Sequence, residues 1–271
     1  METRSTIDRR PAQELRSRCR SGEFKQPTTG FAPGFAQANL LVLPKEDAFD
    51  FLLFCQRNPK PCPLLEVTEP GDPEPKQIAP AADLRTDLPL YRIYRNGELV
   101  GEVQDVRELW RPDLVAFLLG CSFTFETALL RAGLGVRQLE ETLPDGSAKN
   151  VPMYRTNIPC RTAGKFSGPL VVSMRPYTPA DAVKAATVTA RYPSVHGAPI
   201  QIGDPSSIGI QHLDRPDWGN AVTIRPGEVP VFWACGVTPQ AAVIQSKPSF
   251  AIAHAPGHMF VTDVTDEELA V

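Results

Sequence analysis

The chain has 271 residues and a formal net charge of −3, and 42% of its residues are hydrophobic against 22% that are charged. These values are typical of a globular protein with one large or two ordinary domains, and they argue against a nucleic-acid or membrane-surface partner. No apolar run reaches the roughly 18 residues of a membrane span. The first residues lack the apolar core of a secretory signal. The six cysteines include no CxxC pair, so we expect reduced thiols in the cytoplasm.

Helices and strands alternate in the predicted first half of the chain. The Asn96-Gly97 pair, between two β-prone runs, is typical of a two-residue hairpin turn. Pro112 predicts the start of a helix that continues to residue 119, because proline is favoured in the first helical turn. The other predicted elements are a helix over 11–20, a strand over 39–43, a buried helix over 45–57, and strands over 64–67, 90–94 and 98–103.

The second half continues this alternation. The predicted elements are a helix over 122–132, strands over 151–158 and 170–175, a helix over 179–190, strands over 222–224 and 229–234, a helix from 238, and strands over 250–253 and 259–262. Strands separated by helices favour a mostly parallel sheet covered on two faces. The predicted fold class is therefore α/β, a three-layer α/β/α sandwich. Residues 1–111 and 194–271 are predicted to form the sandwich domain, and residues 112–193 a smaller inserted α+β domain.

Two of the four histidines, His254 and His258, lie where predicted strands end, on either side of a Pro-Gly turn. Ligands of open α/β sheets bind at such strand ends. The pair could act as general acid and base, or as metal ligands. The alternative is two loop histidines with local hydrogen bonds. His196 also lies at a backbone turn and is a candidate for substrate binding, whereas His212 is expected on the surface.

Cys235 lies between a predicted strand and the start of a helix. Free N–H groups at a helix start bind anions and lower the pKa of a thiol. We expect either a catalytic Cys235 or an anion pocket that it forms with Gly236 and Thr238, and we favour the pocket because no Cys-His signature is present. A buried apolar thiol is the alternative. Asp204 follows a predicted strand and precedes a proline, which fits a catalytic carboxylate or a turn residue equally well.

A second helix start carries Ser122 and Thr124, whose hydroxyl groups suit a carboxylate ligand. Glu126 in the same turn would interact favourably with the helix dipole. Arg155 and Asn157 share one face of a predicted strand, because side chains alternate along it. Arg155 suits bidentate binding of a substrate carboxylate. The alternatives to Arg155 are Arg161 and Arg175.

These residues lie in segments that together resemble one known family. The segments are CQRNPKPCPLLEV, GCSFTFE, VPMYRTNI, VHGAPIQIGDP, VFWACGVTPQ and HAPGHMFVTD. From about Gly30 to Asp263 the chain resembles the D-glutamate cyclase family, which has bacterial members named as hydro-lyases. The resemblance implies a lyase acting on a small acidic substrate, in its sharpest form the cyclisation of D-glutamate to 5-oxo-D-proline with loss of water. It also implies a three-layer sandwich with a second, smaller domain.

The implied ring closure needs a base for the amine, an acid for the leaving hydroxide, donors for the oxyanion and a cation for the α-carboxylate. His254 or His258 is the candidate base, and the other histidine or a protonated Asp204 is the candidate acid. The candidate oxyanion donors are the N–H groups of 235–238, or Ser122 and Thr124. The candidate cation is Arg155.

Other activities stay open at this point. The same residues would serve a hydrolase or dehydratase for another small carboxylic acid or lactam, or a non-catalytic small-acid binding protein. The chain has no GxGxxG, P-loop, GxSxG or HExxH motif, which argues against dinucleotide enzymes, P-loop ATPases, α/β-hydrolases and zincins. No motif requires a cofactor, although convergence of Asp204, His254 and His258 would allow a divalent metal such as Mn²⁺. A homo-oligomer is compatible with the sequence.

Overall fold

A computed structural model describes residues 7–271, which form two β-sheets and six α-helices. None of these helices is both long and apolar enough to cross a membrane. The helices are α1 (Arg10–Arg20), α2 (Lys45–Arg57), α3 (Phe123–Arg131), α4 (Arg137–Glu140), α5 (Pro179–Ala190) and α6 (Thr238–Ser246). The strands of the first sheet are β1 (Phe35–Pro44), β2 (Leu64–Val67), β3 (Tyr91–Arg95), β4 (Glu98–Val103), β5 (Leu114–Gly120), β10 (Ala251–His254) and β11 (Phe260–Thr265). The strands of the second sheet are β6 (Met153–Pro159), β7 (Pro169–Tyr177), β8 (Gln201–Ile202) and β9 (Val229–Ala234).

The long strand β1 lies at the centre of the seven-stranded sheet, whose order is β2-β5-β1-β10-β3-β4. On one side β1 pairs with β5 from Ala38–Gly120 to Pro44–Leu114. On the other side its first half pairs with β11 and its second half with β10. The four-stranded sheet has the order β6-β7-β9-β8.

Both faces of β1 and β5 are buried. Odd-numbered residues such as Leu41 and Phe117 belong to one apolar core, and even-numbered residues such as Leu40 and Leu118 belong to another. Successive side chains of a strand point to opposite faces, so a strand covered on both faces is apolar at every position. This explains why residues 114–120 show no polar alternation.

Two predictions about this sheet are wrong. The helix predicted over 112–119 is the strand β5, because the run is apolar throughout and its backbone pairs with β1 and β2. The predicted mostly parallel sheet is also wrong, since the strand pairs of both sheets are antiparallel. Strands that follow one another across a helix are not neighbours here. The end of α2, for example, leads to β2, which pairs with β5 and not with β1.

A mixed α/β fold is confirmed, but the pairing does not separate residues 112–193 from the rest. β5 belongs to the seven-stranded sheet, and β7 pairs with β9 from beyond residue 193. The three-layer sandwich and the inserted domain therefore stay predictions. A strand predicted over 222–224 is absent, and this segment is irregular.

Elements with clear end signals occur where the sequence predicts them. The β3–β4 hairpin turns at Asn96 and Gly97, whose φ angles are 50° and 79°, the positive values that this turn requires. Thr178 caps α5 by accepting a hydrogen bond from the N–H of Asp181. The strand β2 and the bounds of β9 match the prediction. The helix α2 also forms, although it buries one face only, since Phe49 is 73% exposed.

One apolar core joins the two sheets. It contains residues of β1 and β5 from the first sheet, residues of β7 and β9 from the second, and Phe51 and Phe54 of α2. The helix α6 connects the sheets along the chain, because it follows β9 of the second sheet and precedes β10 of the first. The loops after β5, β9 and β10 carry the candidate site residues Ser122, Cys235, Gly236 and His258.

Substitution of Phe51 measures how much the apolar core between the sheets contributes to stability. Phe51 is fully buried, and its ring contacts those of Phe117 and Phe166 at centroid distances of 4.9 and 5.2 Å. We expect Phe51→Ala to lower the free energy of unfolding by about 3–5 kcal/mol, as measured by denaturant titration. Phe49→Ala on the exposed face of the same helix is the matched control and should change it little. Equal losses in the two variants would contradict this core assignment.

Candidate functional site

His254 ends β10 and is 1% exposed. Its Nδ1 lies 3.2 Å from the N–H of Leu40, which donates to it, and 3.1 Å from the carbonyl oxygen of Leu40. Its Nε2 lies 3.5 Å from Nε2 of Gln240, and the amide N–H of Gln240 donates to the His254 carbonyl at 2.9 Å. Burial lowers the pKa of His254 to about 4. The ring is therefore neutral near pH 7, and it is held between β1 and α6.

His258 differs from His254 because it is only partly buried. Its Nδ1 lies 3.2 Å from the carbonyl oxygen of Pro256. Since a carbonyl can only accept, Nδ1 carries the proton in this contact, which leaves the lone pair on Nε2. Burial lowers the pKa of His258. The backbone of Pro256 and Lys25 and the charge of Glu102 oppose the shift, and the charge of Arg92 adds to it. A neutral, partly accessible imidazole has the properties of a general base.

Two helix starts carry the other predicted polar groups. Cys235 and Gly236 precede α6, and Cys121 and Ser122 precede α3. The two cysteines belong to one apolar cluster, and burial raises the pKa of Cys121. Burial raises the pKa of Cys235 to about 11. Both side chains are therefore thiols near neutral pH, which does not favour covalent catalysis by Cys235.

The threonines at these helix starts bind backbone groups of the protein. Thr238 donates to the carbonyl of Cys235 at 2.7 Å and accepts from the N–H of Val171 at 3.0 Å. Thr124 accepts from the N–H of Gln37 at 3.1 Å. These hydroxyl groups fix the helix starts to neighbouring strands.

Gly236 packs directly against Asn39 of β1. A Cβ atom at position 236 would lie 1.9 Å from Nδ2 of Asn39, a distance at which one of the two must move. Asn39 in turn donates to the carbonyl of Gly120 at 2.7 Å. The side chain of Asn39 thus joins the two helix starts, and only glycine fits between it and α6.

A buried ion pair lies beside Ser122. Arg175 of β7 is fully buried and Glu126 of α3 is 3% exposed. Nε of Arg175 donates to Glu126 at 3.0 Å, and its two terminal nitrogens donate to Ser173 at 3.2 Å and to Ser122 at 3.3 Å. Gln138 also donates to Glu126, at 2.7 Å. Arg175, an alternative cation in the sequence prediction, is thus fully engaged within the protein.

His196 adds a further buried imidazole. Its backbone has φ 84°, which is unusual for a residue other than glycine. Its Nδ1 lies 2.8 Å from the carbonyl of Lys60, and burial lowers its pKa to about 4. Its Nε2 has no hydrogen-bond partner within residues 7–271, although Gly120 and Arg175 are close enough to affect its pKa. Its role in substrate binding stays a prediction.

Arg155 and Asn157 share the exposed face of β6, as predicted. The Arg155 guanidinium lies over the ring of Trp218, 4.9 Å from its centroid, and 3.7 Å from the carboxylate of Asp217. These residues line a cleft of about 410 Å³ between the two sheets. Asn157 lines a different cavity, of about 450 Å³. The structure therefore does not bring Asn157 and Arg155 to the same cleft.

Asp204 lies apart from the other candidates. It is exposed and caps a short 3-10 helix, Pro205–Ile208, where it accepts from the N–H of Ser206 at 3.0 Å and from its hydroxyl at 2.8 Å. It follows β8, at the opposite edge of the four-stranded sheet from β6. Three strand spacings, about 14 Å, separate those edges. The convergence of Asp204, His254 and His258 on a metal, which the sequence would allow, is not found among residues 7–271. In the described part of the chain, no three His, Cys, Asp or Glu side chains are grouped to hold a metal.

Arg92 and Tyr94 of β3, and the role of Trp218, were not predicted from the sequence. The first two line the cleft opposite Arg155. Residues two apart along a strand share a face, and this spacing is the sequence feature from which a common location of Arg92 and Tyr94 could have been predicted. Trp218 lies in an irregular segment and packs against the cluster that contains Cys235 and Val237. It therefore connects the cleft with the start of α6.

Comparison with known proteins supports one family. The sequence model of the D-glutamate cyclase family matches residues 115–263, a range that contains every candidate residue from 122 to 258. A protein of Geobacillus kaustophilus named "Putative hydro-lyase" is 61% identical over 96% of this chain and 97% of its own length. A protein with the same name from Stutzerimonas stutzeri is 60% identical over 95% of both chains.

The chain belongs to the D-glutamate cyclase family. This confirms the resemblance in the sequence and supports a hydro-lyase at the level of reaction class. Among solved structures, a nitrogen repressor-like protein from Methanococcus jannaschii aligns with 92% of this chain and 96% of its own, at a TM-score of 0.36 and 10% identity. A likeness of that size supports no inference about this D-glutamate cyclase family member.

The buried ion pair gives a stability prediction. Glu126→Gln keeps the side-chain shape but leaves the Arg175 charge uncompensated in the interior. We expect the free energy of unfolding to fall by about 3–5 kcal/mol, and to recover in part when Arg175→Met removes the second charge as well. Glu267→Gln is the control, because Glu267 and its partner Arg131 are 77% and 60% exposed. Denaturant titration measures all three, and an equal loss in the control would contradict the prediction.

The buried histidines predict a pH dependence. The unfolded chain protonates an imidazole near pH 6.5, whereas folded His254 does so near pH 4. The unfolded state therefore binds more protons between these values, and the free energy of unfolding falls as the pH drops from 6.5 to 4, by up to about 3 kcal/mol. His254→Gln should flatten this slope relative to the wild type. Asp266, whose pKa burial raises to about 6, acts in the opposite direction but is present in both proteins. Parallel slopes in urea titrations at pH 7, 6 and 5 would rule the effect out.

Proposed function

We propose that this protein is a hydro-lyase that cyclises D-glutamate to 5-oxo-D-proline with loss of water. The observation that carries the proposal is the family match over residues 115–263, since those residues include Arg155 of the cleft, the start of α6 and His258. The D-glutamate cyclase name of that family gives the reaction, and the hydro-lyase names of the relatives agree with it.

The reaction moves protons from the amine nitrogen to the leaving oxygen, and a single base can carry out these transfers. The amine nitrogen must lose a proton before it attacks the γ-carboxyl carbon. A C–N bond then forms, a C–O bond breaks, and the nitrogen loses a second proton as water leaves. His258 fits this role, because burial lowers its pKa and its Nδ1–H is held by the Pro256 carbonyl. It accepts the first proton from the ammonium group and the second from the nitrogen after the attack, and it returns both to the leaving oxygen, which departs as water.

Arg155 is the cation best suited to hold the α-carboxylate. It is half exposed in the cleft, lies over Trp218 and is 3.7 Å from Asp217. A carboxylate ligand can therefore reach its guanidinium in a bidentate arrangement. Arg175, in contrast, is fully buried and bonded to Glu126.

The N–H groups at the start of α6 are the proposed donors to the oxyanion. The N–H groups of Cys235 and Thr238 already donate to the carbonyls of Val171 and Cys235, at 2.9 and 3.0 Å. The N–H groups of Gly236 and Val237 therefore remain as the donors at this helix N-terminus. Trp218 lines the cleft and packs on the cluster of Cys235 and Val237. The carboxyl group that reacts would lie between these donors and His258, and fixing the chain in a folded-back shape would supply much of the acceleration.

The proposal is tested by direct assay. The purified protein is incubated with D-glutamate, L-glutamate and both enantiomers of 5-oxoproline, with and without Mn²⁺ after treatment with a chelator, and products are followed by chiral chromatography. We expect stereoselective formation of 5-oxo-D-proline. No conversion in either direction would remove the proposed activity and favour a small-acid binding protein.

The role of His258 gives a further prediction. His258→Gln should lower kcat by about 10²–10⁴-fold, because the general base is lost, while the unfolding transition is retained. His212→Gln, at an exposed loop position, is the matched control and should keep wild-type turnover. Full activity of His258→Gln in the same assay would exclude His258 as the base.

A further inference from the structure

The cleft has an arginine on each wall. Arg92 comes from β3 of the seven-stranded sheet, and Arg155 from β6 of the four-stranded sheet, and both line the same volume of about 410 Å³. A volume of this size lies at the lower end of small-molecule sites, which suits a ligand of metabolite size. The other polar groups that line it are those of Tyr94, Asp217 and Trp218.

Neither guanidinium is fully used by the protein. Arg92 donates through Nε to Glu102 at 2.8 Å and also bonds to the hydroxyl group of Tyr94, and its side chain is 20% exposed. Arg155 is 50% exposed and lies 3.7 Å from Asp217. Each arginine therefore has terminal N–H groups for an anion, whereas Arg175 donates from Nε and from both terminal nitrogens within the protein.

The two arginines differ in what surrounds them. Arg92 pairs with Ala253 of β10, the strand that leads into the turn with His258. Arg155 lies over Trp218 on the opposite wall. A ligand that spans the cleft thus has one end near the imidazole and the other end against the indole ring.

We propose that the cleft binds an α,ω-dicarboxylate, with one carboxylate on Arg92 and the other on Arg155. Two facing guanidinium groups recognise two carboxylates in a bidentate manner and discriminate against a ligand that has only one. The assignment of ends rests on the proposed function: the γ-carboxyl group that reacts lies at Arg92, beside His258, and the α-carboxylate at Arg155. Arg92 then also offsets the negative charge that develops on the attacked carboxyl group.

Binding without turnover tests this inference. Glutarate is a five-carbon dicarboxylate that has no amine and cannot cyclise, and butyrate is a comparable monocarboxylate. We expect the wild-type protein to bind glutarate about 10–100-fold more tightly than butyrate, since one additional charged contact is worth about that factor. Isothermal titration calorimetry measures both Kd values.

The variants assign the two carboxylate positions. Arg92→Gln and Arg155→Gln should each remove the preference for glutarate over butyrate. Arg95→Gln is the matched control, because Arg95 lies on the same strand β3 but points to the other face, over Phe250; it should keep the preference. Arg92→Lys retains the charge and should keep part of the preference for glutarate. This variant replaces Arg92→Gln in the experiment if Arg92→Gln does not fold.

The outcomes separate this inference from the proposed function. Equal binding of glutarate and butyrate by the wild type, or an unchanged preference in Arg92→Gln, would overturn the dicarboxylate site even if D-glutamate is cyclised. Loss of the preference in both arginine variants, without any turnover of D-glutamate, would support the site while the proposed reaction fails.

Discussion

The guanidinium of Arg175 is buried and its charge is balanced by Glu126 of α3. Arg175 lies on β7 of the second sheet, and Glu126 lies on α3, which follows β5 of the first sheet. This ion pair therefore links the two sheets beside the start of α3. A charge buried in this way requires its partner, since neither group can return to water without separating the sheets. The strand β7 also pairs with β6, whose Arg155 forms one wall of the cleft, so the ion pair links that wall to the first sheet.

Around this pair, the protein satisfies polar groups by packing helix starts against strands. Thr238 binds the backbone of β7, Thr124 binds that of β1, and Asn39 reaches the carbonyl of Gly120 beside Gly236. These bonds hold the starts of α3 and α6 rigidly. A preorganised N–H group at such a position is more effective toward developing charge than a mobile one, because it needs no reorganisation.

Sequence patterns predicted the elements that carry their own end signals. The hairpin at Asn96 and Gly97 and the capped helix α5 are examples, because their turn and cap residues act locally. The strand β5 could not be recognised in this way, since a run that is apolar at every position has no period and its state is decided by pairing with β1. The cleft was missed for a related reason. Arg92 and Trp218 are distant in sequence and meet only through the packing of one sheet against the other, so Arg155 was found without the residues opposite it.

A cleft with one cation on each wall has a consequence for the release of product. Ring closure of a dicarboxylic amino acid consumes one carboxylate and leaves a neutral lactam in its place. The cyclic acid can therefore satisfy only one of Arg92 and Arg155, and the other is returned to water and to its neighbouring carboxylate, Glu102 or Asp217. In the proposed reaction the same geometry that selects the substrate makes the product a weak ligand. The chemical step itself thus empties the site, without a moving lid.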